Sequence, residues 1–219
     1  MSIKKPIRYA FLQIPNYSMV TFSSAVASLR GANYISKQDL YEWQVVSMDG
    51  VPVTASVGFE VTPTLHVNDL NLNDLEAVIV CGGTFIDRAY NKNTIAFLRK
   101  AANAKIKIGS TCTGSYLLAA AGLLDGYKST IHWENSDSFS EEFEDVDLTK
   151  SVFVIDGNRM STAGGTSSID LMLKLIADDH GEELANLVAD QLIYSSIRTD
   201  QDTQRLSIPT RIGVRHPKL

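Results

Sequence analysis

Short apolar runs alternate with stretches of helical periodicity along most of this chain. Ile7 to Ile14 reads as a buried strand closed by Pro15-Asn16. Phe22, Ala25, Val26 and Leu29 then fall at i, i+3, i+4 and i+7, which turns one helix face toward a core. Trp43 to Met48 predicts a second strand with Asp49-Gly50 as its turn, and Val51 to Val61, interrupted by Gly58, predicts a small hairpin on the sheet edge. Ala77 to Cys81 is an unbroken apolar run ending in Gly82-Gly83, as expected of a strand buried on both faces. A helix follows with Ile95, Leu98 and Ala102 inward, and Lys105 to Thr111 is the next strand, succeeded at once by a helix over Thr113 to Leu123. Ser129 to His132 predicts a strand and Asn135 to Phe143 a short polar helix. Val152–Ile155 and Arg159–Thr162 flank Asp156-Gly157-Asn158, a hairpin signal. Two helices close the pattern, one carried by Ile169, Met172, Leu173 and Ile176, the other by Leu184, Leu187, Val188 and Leu192.

This alternation predicts an α/β domain with a mostly parallel sheet covered on both faces, whose ligands sit at the carboxyl ends of the strands. At 219 residues and 44% hydrophobic, the chain is long enough for one good core. From Thr199 the periodicity is lost and the text turns polar and basic, so residues 1–198 read as the domain and 199–219 as a linker or tail. The net charge of −5 argues against the domain itself gripping nucleic acid, because phosphate binding needs a basic face. Two cysteines, Cys81 and Cys112, without metal spacing suit a reduced, cytoplasmic protein with no metal and no cofactor. The apolar stretch near the N-terminus is broken by Gln13 and Pro15, unlike a signal peptide, and no run reaches a membrane span.

Three glycine-marked junctions fall at predicted strand ends: CGG at 81–83, STCTG at 110–114 and TAGG at 162–165. Each is able to offer free backbone N–H groups at one sheet edge, suited to a carboxylate or an oxyanion, or each merely lets strand turn into helix. Cys112 lies between a β-run and an apolar helix with small neighbours, the arrangement of a nucleophile elbow. A helix start there lowers a thiol pKa, whereas a plain buried cysteine is inert. His132 reads either as a capping or core histidine or as a group facing the same pocket. His66 falls in a predicted loop, His180 at a helix end and His216 in the tail. Trp133 is either core or a pocket wall; with Tyr17 and Phe85 it is able to cage a cationic group. Glu134 either pairs with an ammonium or sits in solvent.

The segment GSTCTGSYLLAAAGLLDGYKSTIHWE, followed later by STAGGTSSIDLMLKLI, resembles the PfpI-type, class I glutamine amidotransferase-like superfamily. More narrowly, it is similar to the N-terminal domain of GlxA-type AraC-family transcriptional regulators, and RIGVRHPKL resembles their linker toward a helix-turn-helix domain. The resemblance implies a flavodoxin-like three-layer sandwich with a nucleophile elbow at Cys112. It implies His132 facing that cysteine and oxyanion-type amides from Gly83 and Thr113. Asn16, Tyr17, Gly82, Gly83, Phe85, Cys112, Thr113, His132, Trp133, Gly164 and Gly165 are then the candidate ligand-binding residues. Enzymes of the superfamily also place an acid near the start of the first helix, but residues 15–22 (PNYSMVTF) contain none. Such a loss would remove general acid–base help worth typically 10²–10⁴-fold.

The implied function is therefore sensing: a small-molecule effector, amino-acid-like or betaine-like, bound without turnover. The partners implied are a second copy of the chain, and DNA only through the helix-turn-helix domain, with no membrane. The final helix, expected over Glu182 to Ser196, would link sensor to linker. The alternatives are a cysteine-dependent hydrolase, hydratase or glyoxalase, or an oligomerisation module with a vestigial pocket.

Overall fold

The computed structural model describes residues 5–205, so the expectations for His216 and RIGVRHPKL lie outside the described residues. In chain order the elements are β1 (Ile7–Gln13), α1 (Met19–Ser36), β2 (Tyr41–Ser47), β3 (Val53–Thr54), β4 (Glu60–Val61), β5 (Leu65–His66) and β6 (Ala77–Cys81). There follow α2 (Lys92–Asn103), β7 (Lys107–Thr111), α3 (Ser115–Ala120), β8 (Lys128–Ser129), α4 (Ser136–Glu142), β9 (Asp147–Leu148), β10 (Phe153–Asp156), β11 (Arg159–Thr162), α5 (Ser167–His180) and α6 (Glu182–Gln191).

The main sheet runs β10-β11-β7-β6-β1-β2-β5 and is parallel except for β10, which pairs antiparallel with β11 across Gly157-Asn158. Because side chains alternate along a strand, each central strand feeds two cores. Tyr9, Phe11, Ala77 and Ile79 pack with α1, α5 and α6 on one face. Ala10, Leu12, Val78 and Val80 pack with α2, α3 and α4 on the other. The result is the expected three-layer sandwich. Continuous apolar runs such as AVIVC reflect burial on both sides, all five residues being buried.

Several local expectations are corrected. Val51 to Val61 does form a hairpin, β3 with β4, but as a separate two-stranded sheet. The main sheet ends on that flank in β5, beside β2, which contains His66; its Nδ1 then accepts the Asn68 N–H at 2.8 Å. Ser129 to His132 is extended only as far as Ser129, because the Thr130 N–H donates to Ser161 Oγ and its carbonyl accepts from Ser115 Oγ instead of joining a ladder. The elbow helix is a single turn of 3₁₀ followed by the six-residue α3, which ends before Gly122 takes a φ of +69°. The last helix stops at Gln191, not Ser196, and the chain beyond it folds back over the domain.

That return is ordered by a buried carboxylate. Asp170, 1% exposed on α5, accepts the Tyr194 hydroxyl, the Arg198 N–H and the Arg198 guanidinium at 2.7–3.0 Å. Residues 199–205, expected to begin a linker or tail, continue along the domain: Ser151 and Thr203 form an antiparallel bridge beside β10. Among the described residues no helix is long and apolar enough to cross a membrane, and no group of three or more His, Cys, Asp or Glu side chains is arranged to hold a metal ion.

Candidate functional site

The strand register sets the site. Gln13 pairs with Cys81, Cys81 with Thr111, and Thr111 with Thr162, so the carboxyl ends of β1, β6, β7 and β11 lie in one row. The three glycine junctions therefore share one edge of the sheet. A cavity of about 660 Å³ opens there, lined by Ser18, Gly83, Phe85, Asp87, Cys112, Thr113, Tyr116, Ile131, His132, Glu134, Asn135 and Glu142, among others.

Cys112 takes a φ of +57°, costly for a residue with a Cβ and the signature of a strained elbow. Gly164, at a φ of +99°, backs it closely: a Cβ there would lie 3.1 Å from the Cys112 Sγ. The elbow is braced by a chain of hydroxyls. Thr113 Oγ1 donates to the Gly83 carbonyl at 2.6 Å, and Ser115 Oγ, 2.8 Å from Ser110 Oγ, donates to the Thr130 carbonyl at 2.6 Å. Tyr17 and Gly83 form an antiparallel bridge, and the Thr84 N–H donates to the Asn16 carbonyl, so Asn16 and Tyr17 support the floor from behind.

The thiol itself is not activated. Burial pushes Cys112 up to about 11, against a hydrogen bond from the Thr113 N–H that lowers it, and the nearby Glu134 carboxylate adds to the rise. The expectation that the helix start would lower this pKa is overturned, because desolvation outweighs one amide and α3 is too short to carry much of a dipole. His132 Nδ1 accepts the Glu134 N–H at 3.4 Å and lies 3.7 Å from the Glu134 carboxylate. In the neutral ring that bond leaves the proton on Nε2. Ser18, at the N-cap of α1, lines the cavity, and its Oγ accepts the Thr21 hydroxyl at 2.8 Å.

The buried Gly83 N–H, among the described residues, has no hydrogen-bond partner, and the 18-residue α1 begins at the cavity with Ser18. Thr113 lines the cavity beside it, and its backbone amide lowers the Cys112 pKa against the effect of burial. The cavity lining also carries three carboxylates, Asp87, Glu134 and Glu142. Tyr116 donates to Glu142 at 2.7 Å, and burial together with that carboxylate pushes its phenol up to about 12.

Of the expected ligand-binding residues, Gly83, Phe85, Cys112, Thr113 and His132 line the cavity. Asn16, Tyr17, Gly82, Gly164 and Gly165 are not among its lining residues, and neither is Trp133. The aromatic cage does not assemble. Tyr17 is fully buried against Phe22, Phe85 lies under the Arg88 guanidinium at 4.5 Å, and Trp133 lies under Arg205 at 4.2 Å. Ser18, Asp87, Tyr116, Asn135 and Glu142 were missed because isolated polar residues on helices carry no local signal; only their convergence on Cys112 marks them.

Residues 11–178 match the DJ-1/PfpI family. The chain is 44% identical over 209 residues to the HTH-type transcriptional regulator CdhR of Pseudomonas aeruginosa, covering 95% of this chain and 61% of that protein. It is 39% identical over 216 residues to the HTH-type transcriptional regulator GbdR of the same species, covering 99% of this chain and 58% of GbdR. The chain thus spans less than two thirds of the length of these curated relatives. Among solved structures, an AraC family transcriptional regulator from Pseudomonas putida superposes with a TM-score of 0.77 at 30% identity, over 85% of this chain and all of that one.

Proposed function

The chain belongs to the DJ-1/PfpI family, and we propose that its residues 1–198 are the effector-sensing domain of a transcriptional regulator, binding a small zwitterion without turning it over. The observation that carries this reading is the elbow cysteine: it faces a cavity of about 660 Å³, yet burial holds its thiol protonated and residues 15–22, at the start of α1, offer no acid. A site kept open while its nucleophile is switched off is suited to binding. The relatives being transcriptional regulators supports the same reading.

The ligand class is read from the two kinds of group in the cavity lining. A carboxylate fits the unpartnered Gly83 N–H at the start of α1, where backbone donors and the helix N-terminus favour negative charge. An ammonium, quaternary or hydrogen-bonding, fits Asp87, Glu134 and Glu142. These carboxylates take the role expected of the aromatic cage. In the working regulator, DNA contact falls to a helix-turn-helix domain outside these 219 residues, and two copies pair.

The test is a thermal-shift and calorimetric panel of betaines, carnitine and amino acids, on the native chain and on Cys112→Ser. A zwitterion at a hundred times its Kd should raise stability by about 2.7 kcal/mol, and Cys112→Ser should keep that response. Turnover of any panel compound that disappears in Cys112→Ser would make the protein an enzyme, and no response to any compound would make the cavity vestigial.

A further inference from the structure

The strip Thr130–Trp133 has two occupied sides. On one, Ile131 and His132 line the cavity, and Thr130 is tied to the elbow helix through its carbonyl, which accepts from Ser115 Oγ. On the other lies the segment that follows Arg198. There the Val152 N–H donates to the Asp202 carbonyl at 2.9 Å, and the Gln204 N–H donates to the Lys150 carbonyl at 3.2 Å. The segment is thereby laid as a short antiparallel strand along residues 150–152. The Gln204 side chain then reaches under the strip. Its Nε2 lies 2.9 Å from both the Thr130 Oγ1 and the Ile131 carbonyl, with the Ser151 carbonyl at 3.3 Å. One residue on, the Arg205 guanidinium covers the Trp133 ring at 4.2 Å. Thr130 also donates from Oγ1 to the Ser151 carbonyl at 2.8 Å, and its N–H is taken by Ser161.

From this placement we propose that Thr130–Trp133 is a shared wall, reading the cavity on one side and gripping the chain's own segment 202–205 on the other through Gln204 and Arg205. A ligand that settles His132 and Ile131 tightens the grip on Gln204; a docked Gln204 holds the Ile131 carbonyl and so favours the ligand-ready wall. This rests on the sensing reading given above, and it moves the outward route from the end of α6, expected from sequence, to the strip beside the pocket. The physical requirement is only that ligand and docked segment prefer the same wall geometry, after which each must raise the other's binding by the same factor. Side-chain amides and one exposed cation–π contact place that factor at the low end of such couplings, about five-fold.

The experiment uses the 219-residue chain, amide hydrogen exchange read at Val152 and Gln204, and calorimetry with trimethylglycine, carnitine and L-arginine as probes. A probe that binds should slow exchange at both amides about five-fold, and Gln204→Ala should weaken that probe's affinity by the same factor. A probe that binds while leaving exchange at both amides and the Gln204→Ala affinity unchanged overturns the shared wall and leaves the sensing reading standing. If no probe binds, the zwitterion reading falls, and the wall is tested without ligand through His132→Ala. Faster exchange at Val152 and Gln204 in that variant supports the coupling, and unchanged exchange overturns it.

Discussion

Gly82 and Gly114 touch backbone to backbone: a Cβ on Gly82 would lie 2.1 Å from the Gly114 nitrogen and 2.7 Å from its Cα. This contact locks the end of β6 against the elbow turn after β7, and it explains why both motifs carry glycine where they meet. Nothing flexible stands in the way, so an added methyl must push main chain against main chain. Gly82→Ala should therefore destabilise the protein by about 3 kcal/mol or more, read by denaturant unfolding. Gly165 makes a fair comparison: its Cβ would meet open space, but its φ is +59°. Gly165→Ala should cost only about 1–2 kcal/mol, the price of a left-handed residue.

The buried thiols set an alkaline limit. Cys112 is raised from 9.0 to about 11 and Cys81, fully buried, from 9.0 to about 12, both mainly by desolvation. A group whose folded pKa lies above its unfolded value contributes stability that is present below the unfolded value and lost as pH rises through the folded one. Stability should thus be insensitive to these thiols below about pH 9. It should fall between about pH 9 and 11 on account of Cys112, by an amount on the order of 2–3 kcal/mol. In the same window iodoacetamide labelling of Cys112, followed by mass spectrometry, should rise from slow to fast. Rapid labelling at pH 7 would show an activated thiol.

What was legible in the sequence is what local pattern can encode. AVIVC before Gly82-Gly83, the Gly157-Asn158 turn and the strand–turn–helix at Cys112 all depend on neighbours within a few residues, and each is found. What was not legible is contact between distant segments. Trp133 next to His132 suggests a ligand wall until Arg205 is seen lying on its ring. The segment after Thr199 looks like a linker or tail because its partners, Lys150, Val152 and Thr130, lie far back in the chain. The thiol pKa was misjudged for a related reason: a helix start is visible in sequence, but the depth of burial that outweighs it is not.

Arg198 tests how firmly the end of the domain is tied down. Asp170 is buried and spends its oxygens on Tyr194 and Arg198, the Arg198 Nη2 lying 2.7 Å away with a side chain 30% exposed. Arg198→Ala removes the guanidinium but leaves the Tyr194 hydroxyl and the residue 198 N–H on the carboxylate. The expected loss is about 2 kcal/mol, the scale of hydrogen bonds to a charged group whose partner stays buried. Hydrogen exchange should also quicken beyond residue 192 while the sheet core is unaffected. A uniform loss of protection across β1, β6 and β7 would show that the pair supports the whole fold instead.

Glu134 lets one substitution report on both the ligand and the thiol. Its carboxylate is 63% exposed, lines the cavity and contributes to raising Cys112, though less than burial does. Glu134→Gln keeps the shape and removes the charge. The Cys112 labelling midpoint should then move below about 11 but stay above 9.0, because desolvation is untouched. If the cavity's carboxylates hold the ligand's cationic group, affinity for a zwitterion should drop by up to about five-fold, the scale of one exposed charge pair. That loss should shrink as salt rises, since exposed charges are screened over about 10 Å at 0.1 M. A shifted labelling midpoint with unchanged affinity would place the cation elsewhere in the cavity, against Asp87 and Glu142.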